Sequence, residues 1–222
     1  MGHTIKVTSV EKATHDVLKI TTEKPGGFTF TPGQATEVAI NREKWQNEIR
    51  PFTFTNLPDD DHLEFTIKTY PAHNGVTKEL LNLKQGDELI IGDAWGTIKY
   101  KGEGTFIAGG AGVTPFVAIL RQLYAENKIG NNKLIFANRK KADIINRDEF
   151  QKMLGKNFIN ILSDEKTQEF ANGFISENFL KEHLENTNGY VYLCGPEVMM
   201  DLTENHLDEL GIRKELIVKE EF

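Results

Sequence analysis

Through its first hundred residues the chain alternates apolar and polar positions in short runs. "TIKVTSV", "DVLKITTE", "ATEVAI", "RPFTFTN", "HLEFTIKTY" and "DELIIGD" each carry period-two alternation or β-branched enrichment. Turn signals separate them: "PGG" at 25, "PG" at 32, "NLPDDD" at 56 and "QGD" at 85. Six short strands at this spacing predict a closed antiparallel barrel, which leaves no sheet edge exposed. Only "VTKELLNL", at 76–83, reads as helix in this half.

From Gly102 the rhythm changes to strand-then-helix. The candidate strands are "GTFIAGG", "KLIFANR", "FINILSD", "YVYLCG" and "ELIVKEEF". Between them lie helical patterns, the first with Phe116, Ile119, Leu120 and Leu123 at i, i+3, i+4 and i+7. Thr114 is placed to cap that helix and Pro115 suits its first turn. "RDEFQKML", "SENFLKEHL" and "EVMMDLTENHLDEL" follow, the last stopped by Gly211. Such alternation implies a five-stranded parallel sheet with helices on both faces. The expected organisation is a β-barrel domain at 1–101 and an α/β domain at 102–222.

Composition narrows the chemistry. The 222 residues carry a net charge of −7, which argues against a nucleic-acid surface; "NRKK" at 138–141 is the densest basic run. No apolar run approaches a membrane span, and "MGHTIKVTSV" lacks the pattern of a secretory leader, so a cytoplasmic protein is expected. A single cysteine, Cys194, excludes an internal disulfide, a cysteine zinc site and a four-thiolate iron–sulfur cluster within the chain. The six histidines show no pair at metal-ligand spacing. An organic cofactor, or none, is what remains.

Four stretches then carry the candidate chemistry. "AGGAGVTP", 108–115, follows a strand and opens a helix, the setting in which backbone N–H groups and a helix dipole receive a phosphate. A corner that needs small residues only for packing would look similar. "YLCGPEVM", 192–199, is a second strand–turn–helix corner at the carboxyl end of a later strand. There Cys194 fits either a small buried core residue or a nucleophile without an adjacent histidine. "HNGVTKEL", 73–80, is a helix start that serves as a cap or as a second anion site. In the terminal "LIVKEEF", Glu220 and Phe222 share one face of a strand, and the aromatic ending suggests a docked tail rather than a frayed one.

A fifth stretch, "EIRPFTFTNLP" at 48–58, places Arg50 and Pro51 at the head of a strand. A proline belongs at a strand's start or edge because it cannot donate to the ladder. With the four motifs above, in this order, the chain resembles the ferredoxin–NADP reductase superfamily. The likeness is to its compact flavodoxin/ferredoxin-reductase and oxygenase-reductase members, and it runs along nearly the whole length.

The resemblance assigns roles. "RPFT" stands where the family has its flavin signature Arg-x-Tyr-Ser/Thr. It implies that Arg50 pairs with the flavin pyrophosphate, that Phe52 lies against the isoalloxazine and that Thr53 hydrogen-bonds near the flavin N5. Phe52 replaces the family's tyrosine and lacks its hydroxyl, and Pro51 lies in the same ligand-lined strand. "TIKTY" implicates Ile67 and Thr69 through the backbone. Gly75, Val76 and Thr77 match the segment that holds an FAD pyrophosphate, favouring FAD over FMN. Gly110, Ala111, Gly112 and Thr114 match the nucleotide loop. Cys194, Gly195 and Pro196 match the Cys-Gly-Pro corner, whose cysteine positions the nicotinamide. Glu220 becomes a candidate for nicotinamide positioning and proton supply, and Phe222 for covering the flavin.

For the dinucleotide, Asp164 repels a 2′-phosphate but accepts from a ribose hydroxyl, which leans to NADH. Arg139, with Lys140 and Lys141, is the countervailing charge that would suit NADPH. The resemblance therefore implies a flavoprotein reductase with Thr53, Cys194 and Glu220 as catalytic candidates. Electrons from NAD(P)H would pass through FAD to a separate carrier such as a flavodoxin, a ferredoxin or an oxygenase component. Two other readings are a reductase of free flavin or ferric complexes, and a flavin-binding sensor or relay subunit without turnover.

Overall fold

The computed structural model describes residues 2–184 and 188–220. Its first six strands are β1 (His3–Lys12), β2 (Val17–Glu23), β3 (Ala35–Ile40), β4 (Arg50–Thr53), β5 (His62–Lys68) and β6 (Glu88–Ile91). They form one sheet in the order β4-β3-β6-β1-β2-β5, with antiparallel pairing throughout. The two outer strands meet through an antiparallel bridge between Phe54 and Phe65, and Thr55 N–H donates to the Glu64 carbonyl at 2.8 Å. That seam closes the sheet on itself. Inside, Ile20, Phe54, Leu63, Phe65, Leu80, Leu89 and Ile91 are fully buried. Phe54 anchors this core, stacked on Phe30 at 4.4 Å and tilted on Phe65 at 5.4 Å between ring centroids.

The helix expected at 76–83 is shorter: α1 (Val76–Glu79) runs into a 3₁₀ turn at Leu80–Asn82. Pro51 lies opposite Glu37 on β4, an outer strand of the ladder, where a missing N–H costs no interior pairing.

The second half holds β7 (Gly104–Gly109), α2 (Thr114–Ala125), β8 (Lys133–Asn138), α3 (Arg147–Leu154) and β9 (Phe158–Leu162). Then come β10 (Ala171–Asn172), α4 (Glu177–His183), β11 (Tyr190–Cys194), α5 (Glu197–Glu209) and β12 (Ile217–Val218). The sheet is parallel, in the order β10-β9-β8-β7-β11-β12. It has six strands where the sequence predicts five. The extra one, β10, is a two-residue edge against Ile161 and Leu162, too short to show a period. α2 is entered through a 3₁₀ turn at Gly110–Val113, so Thr114 is its first residue rather than its cap.

Its burial also departs from a single apolar stripe. Phe116, Val117, Ala118, Ile119 and Leu120 are all buried, as in a helix covered on every side. By contacts the chain forms two compact units: residues 1–99 with 114–122, and residues 100–113 with 123–222. At the start of the second unit, the Tyr192 hydroxyl accepts from the N–H groups of Lys101 and Gly102 at 2.9 and 3.0 Å and donates to the Gly102 carbonyl at 2.6 Å. Burial pushes the Tyr192 hydroxyl up to about 12, against the lowering effect of those two N–H groups.

Candidate functional site

In the parallel sheet, successive strands run from β7 outward through β8 and β9 to β10, and the chain then returns to place β11 on the other side of β7. The order therefore reverses between β7 and β11. At such a reversal the loops leaving the two strands diverge and open a crevice at their carboxyl ends. Both predicted nucleotide corners fall there: Gly110–Val113 leaves β7, and Gly195–Pro196 leaves β11, whose Cys194 pairs with Ala108.

The two corners touch closely. A Cβ on Gly112 would stand 2.4 Å from the Cys194 carbonyl oxygen and 2.6 Å from the Gly195 Cα. Only a residue without a side chain lets the turn approach β11 this way. Gly110 is glycine for a different reason, a φ of +52°.

Cys194 is half-buried, and burial together with the charge of Glu220 pushes its thiol up to about 12. It is a neutral thiol at physiological pH and not a nucleophile, because the thiolate is the reactive form. Glu220, which shares with Cys194 the predicted role of positioning the nicotinamide, thus also acts electrostatically on its thiol. Phe222, expected to cover the flavin, lies outside the described residues.

At the carboxyl ends of β8 and β9, Arg139 Nε donates to Asp164 Oδ2 at 2.7 Å, and Ser163 Oγ donates to Asp164 Oδ1 at 2.7 Å. The hydroxyl and the guanidinium hold the Asp164 carboxyl below the usual aspartate range. The two residues taken in sequence as opposing signals for the dinucleotide are therefore partners of each other. Beyond them Lys141 and Arg147 both bind Glu169 and both lie over the Phe170 ring, at 5.7 and 5.4 Å.

The barrel residues are placed as follows. Arg50 is exposed, with Nη1 donating to the Ile49 carbonyl at 2.6 Å and Nη2 3.4 Å from Glu48. A guanidinium has five N–H donors, so this leaves donors for phosphate oxygens. Thr53 and Phe52 are half-buried, and Phe52 also rests against the barrel core. Ile67 is buried in that core, so only its backbone is available. The Thr69 hydroxyl and N–H are both spent on the Asp16 carbonyl, at 2.9 and 2.7 Å. Gly75 precedes α1 with extended backbone and no side-chain cap, which leaves the helix start to an external acceptor. The spare donors of Arg50 and the uncapped start of α1 are each chemically suited to an anionic flavin dinucleotide.

One group went unpredicted. Arg121 Nη1 donates to Glu64 Oε1 at 2.7 Å and to the Thr55 carbonyl at 2.6 Å, inside the barrel unit. Among the described residues no cluster of His, Cys, Asp and Glu that could hold a metal is present, and no helix is long and apolar enough to cross a membrane.

Comparison with known proteins agrees with this fold. Residues 3–94 match the FAD-binding domain family and residues 106–205 the oxidoreductase NAD-binding domain family. The chain therefore pairs an FAD-binding with an NAD-binding oxidoreductase domain and has the two-domain fold of the ferredoxin–NADP reductase type. It is 29% identical to the reductase component of propane 2-monooxygenase from Mycolicibacterium goodii, over 98% of this chain and 66% of that protein. It is 27% identical to NADH-cytochrome b5 reductase 2 from Mycosarcoma maydis, over 91% of this chain and 64% of the relative. The chain thus spans just under two thirds of the length of these relatives. In fold it is similar to the FAD/NAD-binding domain of nitric oxide dioxygenase from Vibrio cholerae, with a TM-score of 0.88 at 22% identity, covering 100% of this chain and 98% of that one.

Proposed function

We propose that the protein is an FAD-dependent reductase that takes hydride from a reduced nicotinamide dinucleotide, NADH in preference to NADPH. It then delivers electrons to a separate protein carrier, such as a ferredoxin, a flavodoxin or an oxygenase component. The observation that carries this reading is the meeting of the Gly110–Val113 and Cys194–Pro196 corners at the sheet's reversal point, in a chain whose other half matches an FAD-binding domain. The relatives named above are reductases, one of them the reductase component of a monooxygenase, which supports an external acceptor. A reducing, cytoplasmic setting accords with Cys194 being the only cysteine.

Bound FAD would supply the capacity to accept a hydride and release electrons one at a time. The chain's own residues bind and orient. Arg50 and the backbone at Gly75–Thr77 would hold the pyrophosphate of the flavin dinucleotide, and Thr53 would offer its hydroxyl to the flavin ring. Thr69, with its hydroxyl and N–H both committed to Asp16, contributes at most its carbonyl. Gly110, Ala111, Gly112 and Thr114 receive the phosphates of the nicotinamide dinucleotide, with Gly195 and Pro196 shaping the neighbouring wall. Cys194 is a neutral contact for the nicotinamide, and Glu220, whose charge acts on that thiol, holds or supplies a proton. Preference for NADH is supported by the Arg139–Asp164 pair: the cation that would meet a 2′-phosphate is already matched by a carboxylate.

The test is rapid mixing of the purified yellow protein with NADH and with NADPH in parallel. Bleaching faster with NADH supports the proposal, and no bleaching with either removes it. Arg50→Ala should release FAD; a variant that stays fully yellow through gel filtration would return Arg50 to an ordinary surface role.

A further inference from the structure

Glu64 is a charged residue that the proposed chemistry does not use, yet it is only 8% exposed. It lies on β5 directly across the barrel seam from Thr55. Thr55 N–H donates to its carbonyl, and the Thr55 hydroxyl donates to Oε1 at 2.8 Å and meets the Thr66 hydroxyl at 3.2 Å. Arg121 completes the group from α2. One nitrogen of its guanidinium reaches both Glu64 Oε1 and the Thr55 carbonyl, at 2.7 and 2.6 Å, with the two side chains 18% and 11% exposed. Burial works to raise the Glu64 carboxyl, but the charge and hydrogen bond of Arg121 hold it below the usual glutamate range.

A general principle makes this more than a packing contact. A buried ion pair seldom adds stability over apolar residues of the same volume, and its best-attested use is to fix one geometry among several. Here the geometry fixed is that of the segment just past β4. Thr55 is two residues after Thr53 and therefore on the same side of the extended chain. Its carbonyl and hydroxyl are held by the side chains of the Arg121–Glu64 pair and its N–H by the Glu64 main-chain carbonyl, whereas β4 itself is short and paired on one side only, to β3.

We infer that Arg121 is a positioning residue for the reaction: through Glu64 and Thr55 it clamps the end of the strand that carries Arg50–Thr53, and so fixes the Thr53 hydroxyl. The inference rests on the flavin-binding role proposed for that strand. It assigns no substrate contact to Arg121.

The test is a double-mutant cycle on the full chain loaded with FAD, using Arg121→Ala and Thr53→Val singly and together. Glu64→Gln and Arg121→Lys are measured alongside. Two quantities are read: the visible absorption spectrum of the bound flavin, and the limiting bleaching rate separated from the half-saturating NADH concentration. Arg121→Ala should slow limiting bleaching about tenfold and shift the flavin band, with the half-saturating concentration little changed. In the Thr53→Val background the same substitution should add less than twofold, because the group it positions is gone.

Glu64→Gln should behave as Arg121→Ala does, and Arg121→Lys should restore part of the rate. Independent, multiplying effects of the two substitutions would overturn the inference, as would an unchanged rate and spectrum in Arg121→Ala. Should Arg121→Ala fail to fold, the cycle with Glu64→Gln decides on the same criteria. A wild-type protein that NADH does not bleach would instead refute the proposed function. The flavin spectrum then still reports whether Arg121 and Thr53 are coupled.

Discussion

Gly110 and Gly112 are separated by one residue, yet they should respond to alanine for unrelated reasons. At Gly110 an added Cβ meets no heavy atom within 4 Å, and the cost is only the φ of +52°. Holding an ordinary residue in the left-handed region costs roughly 1 kcal/mol. At Gly112 a Cβ would stand 2.4 and 2.6 Å from the carbonyl oxygen and carbon of Cys194, and 2.6 Å from the Gly195 Cα. All three are backbone atoms at the end of an interior strand, so no side chain can swing aside. Contacts that short must open by nearly 1 Å, and overpacking of this kind costs about 1–3 kcal/mol, here expected near the top of that range. For a chain of this size each kcal/mol lowers the melting temperature by about 2–4 °C. Gly112→Ala should therefore melt roughly 6–12 °C below the parent and Gly110→Ala only about 2–4 °C below. Because the displaced atoms belong to the second corner, Gly112→Ala should also weaken NAD⁺ binding at least tenfold by calorimetric titration. Melting of both variants at one temperature, with equal NAD⁺ affinity, would show that the two corners are not in the tight register described.

Three further expectations rest on single groups. Tyr192→Phe leaves two N–H groups and a carbonyl at residues 101–102 without their partner and should cost about 1–3 kcal/mol, measurable by urea unfolding. Raising the Cys194 thiol from 9.0 to about 12 lowers its thiolate fraction about a thousandfold, so iodoacetamide should label the folded protein far more slowly at pH 8 than the urea-unfolded chain. Between pH 9 and 12 the folded state keeps a proton that the unfolded chain loses, so Cys194 contributes a loss of stability as pH rises through that window. Asp164→Asn removes the carboxylate that occupies Arg139 and should raise kcat/KM for NADPH relative to NADH by about 3- to 10-fold; an unchanged ratio would dissociate this pair from dinucleotide choice.

Most of the architecture was legible because it is written in local periods. The six barrel strands alternate clearly, and each glycine-bearing corner sits between a strand pattern and a helix pattern. The features that were not legible depend on distant partners. The barrel seam joins Thr55 to Glu64 across a polar loop, and nothing in "TNLPDDDHLE" announces which residues will pair. Arg121 falls outside the predicted apolar stripe of its helix and so reads as solvated; its burial is set by a carboxylate 57 residues earlier. A signal for the burial of α2 did exist in the near-continuous "FVAIL", which fills the gaps of an amphipathic stripe. β10 could not be found because two residues have no period. The mutual neutralisation of Arg139 and Asp164 required knowing that β8 and β9 are neighbours in parallel register.

The contact partition gives residues 114–122 to the barrel unit although they follow the first strand of the other. The chain thus leaves its first unit, lays down one strand, and goes back before continuing. No single cut can separate two self-sufficient pieces. A fragment ending at Lys99 would hold all six barrel strands but keep Glu64 buried with its arginine gone. A fragment starting at Tyr100 would carry five consecutive buried residues of α2 with no barrel to cover them. Insertion, truncation or domain exchange at the obvious composition boundary should therefore yield insoluble halves. Exchange that moves 114–122 together with the barrel should be tolerated far better.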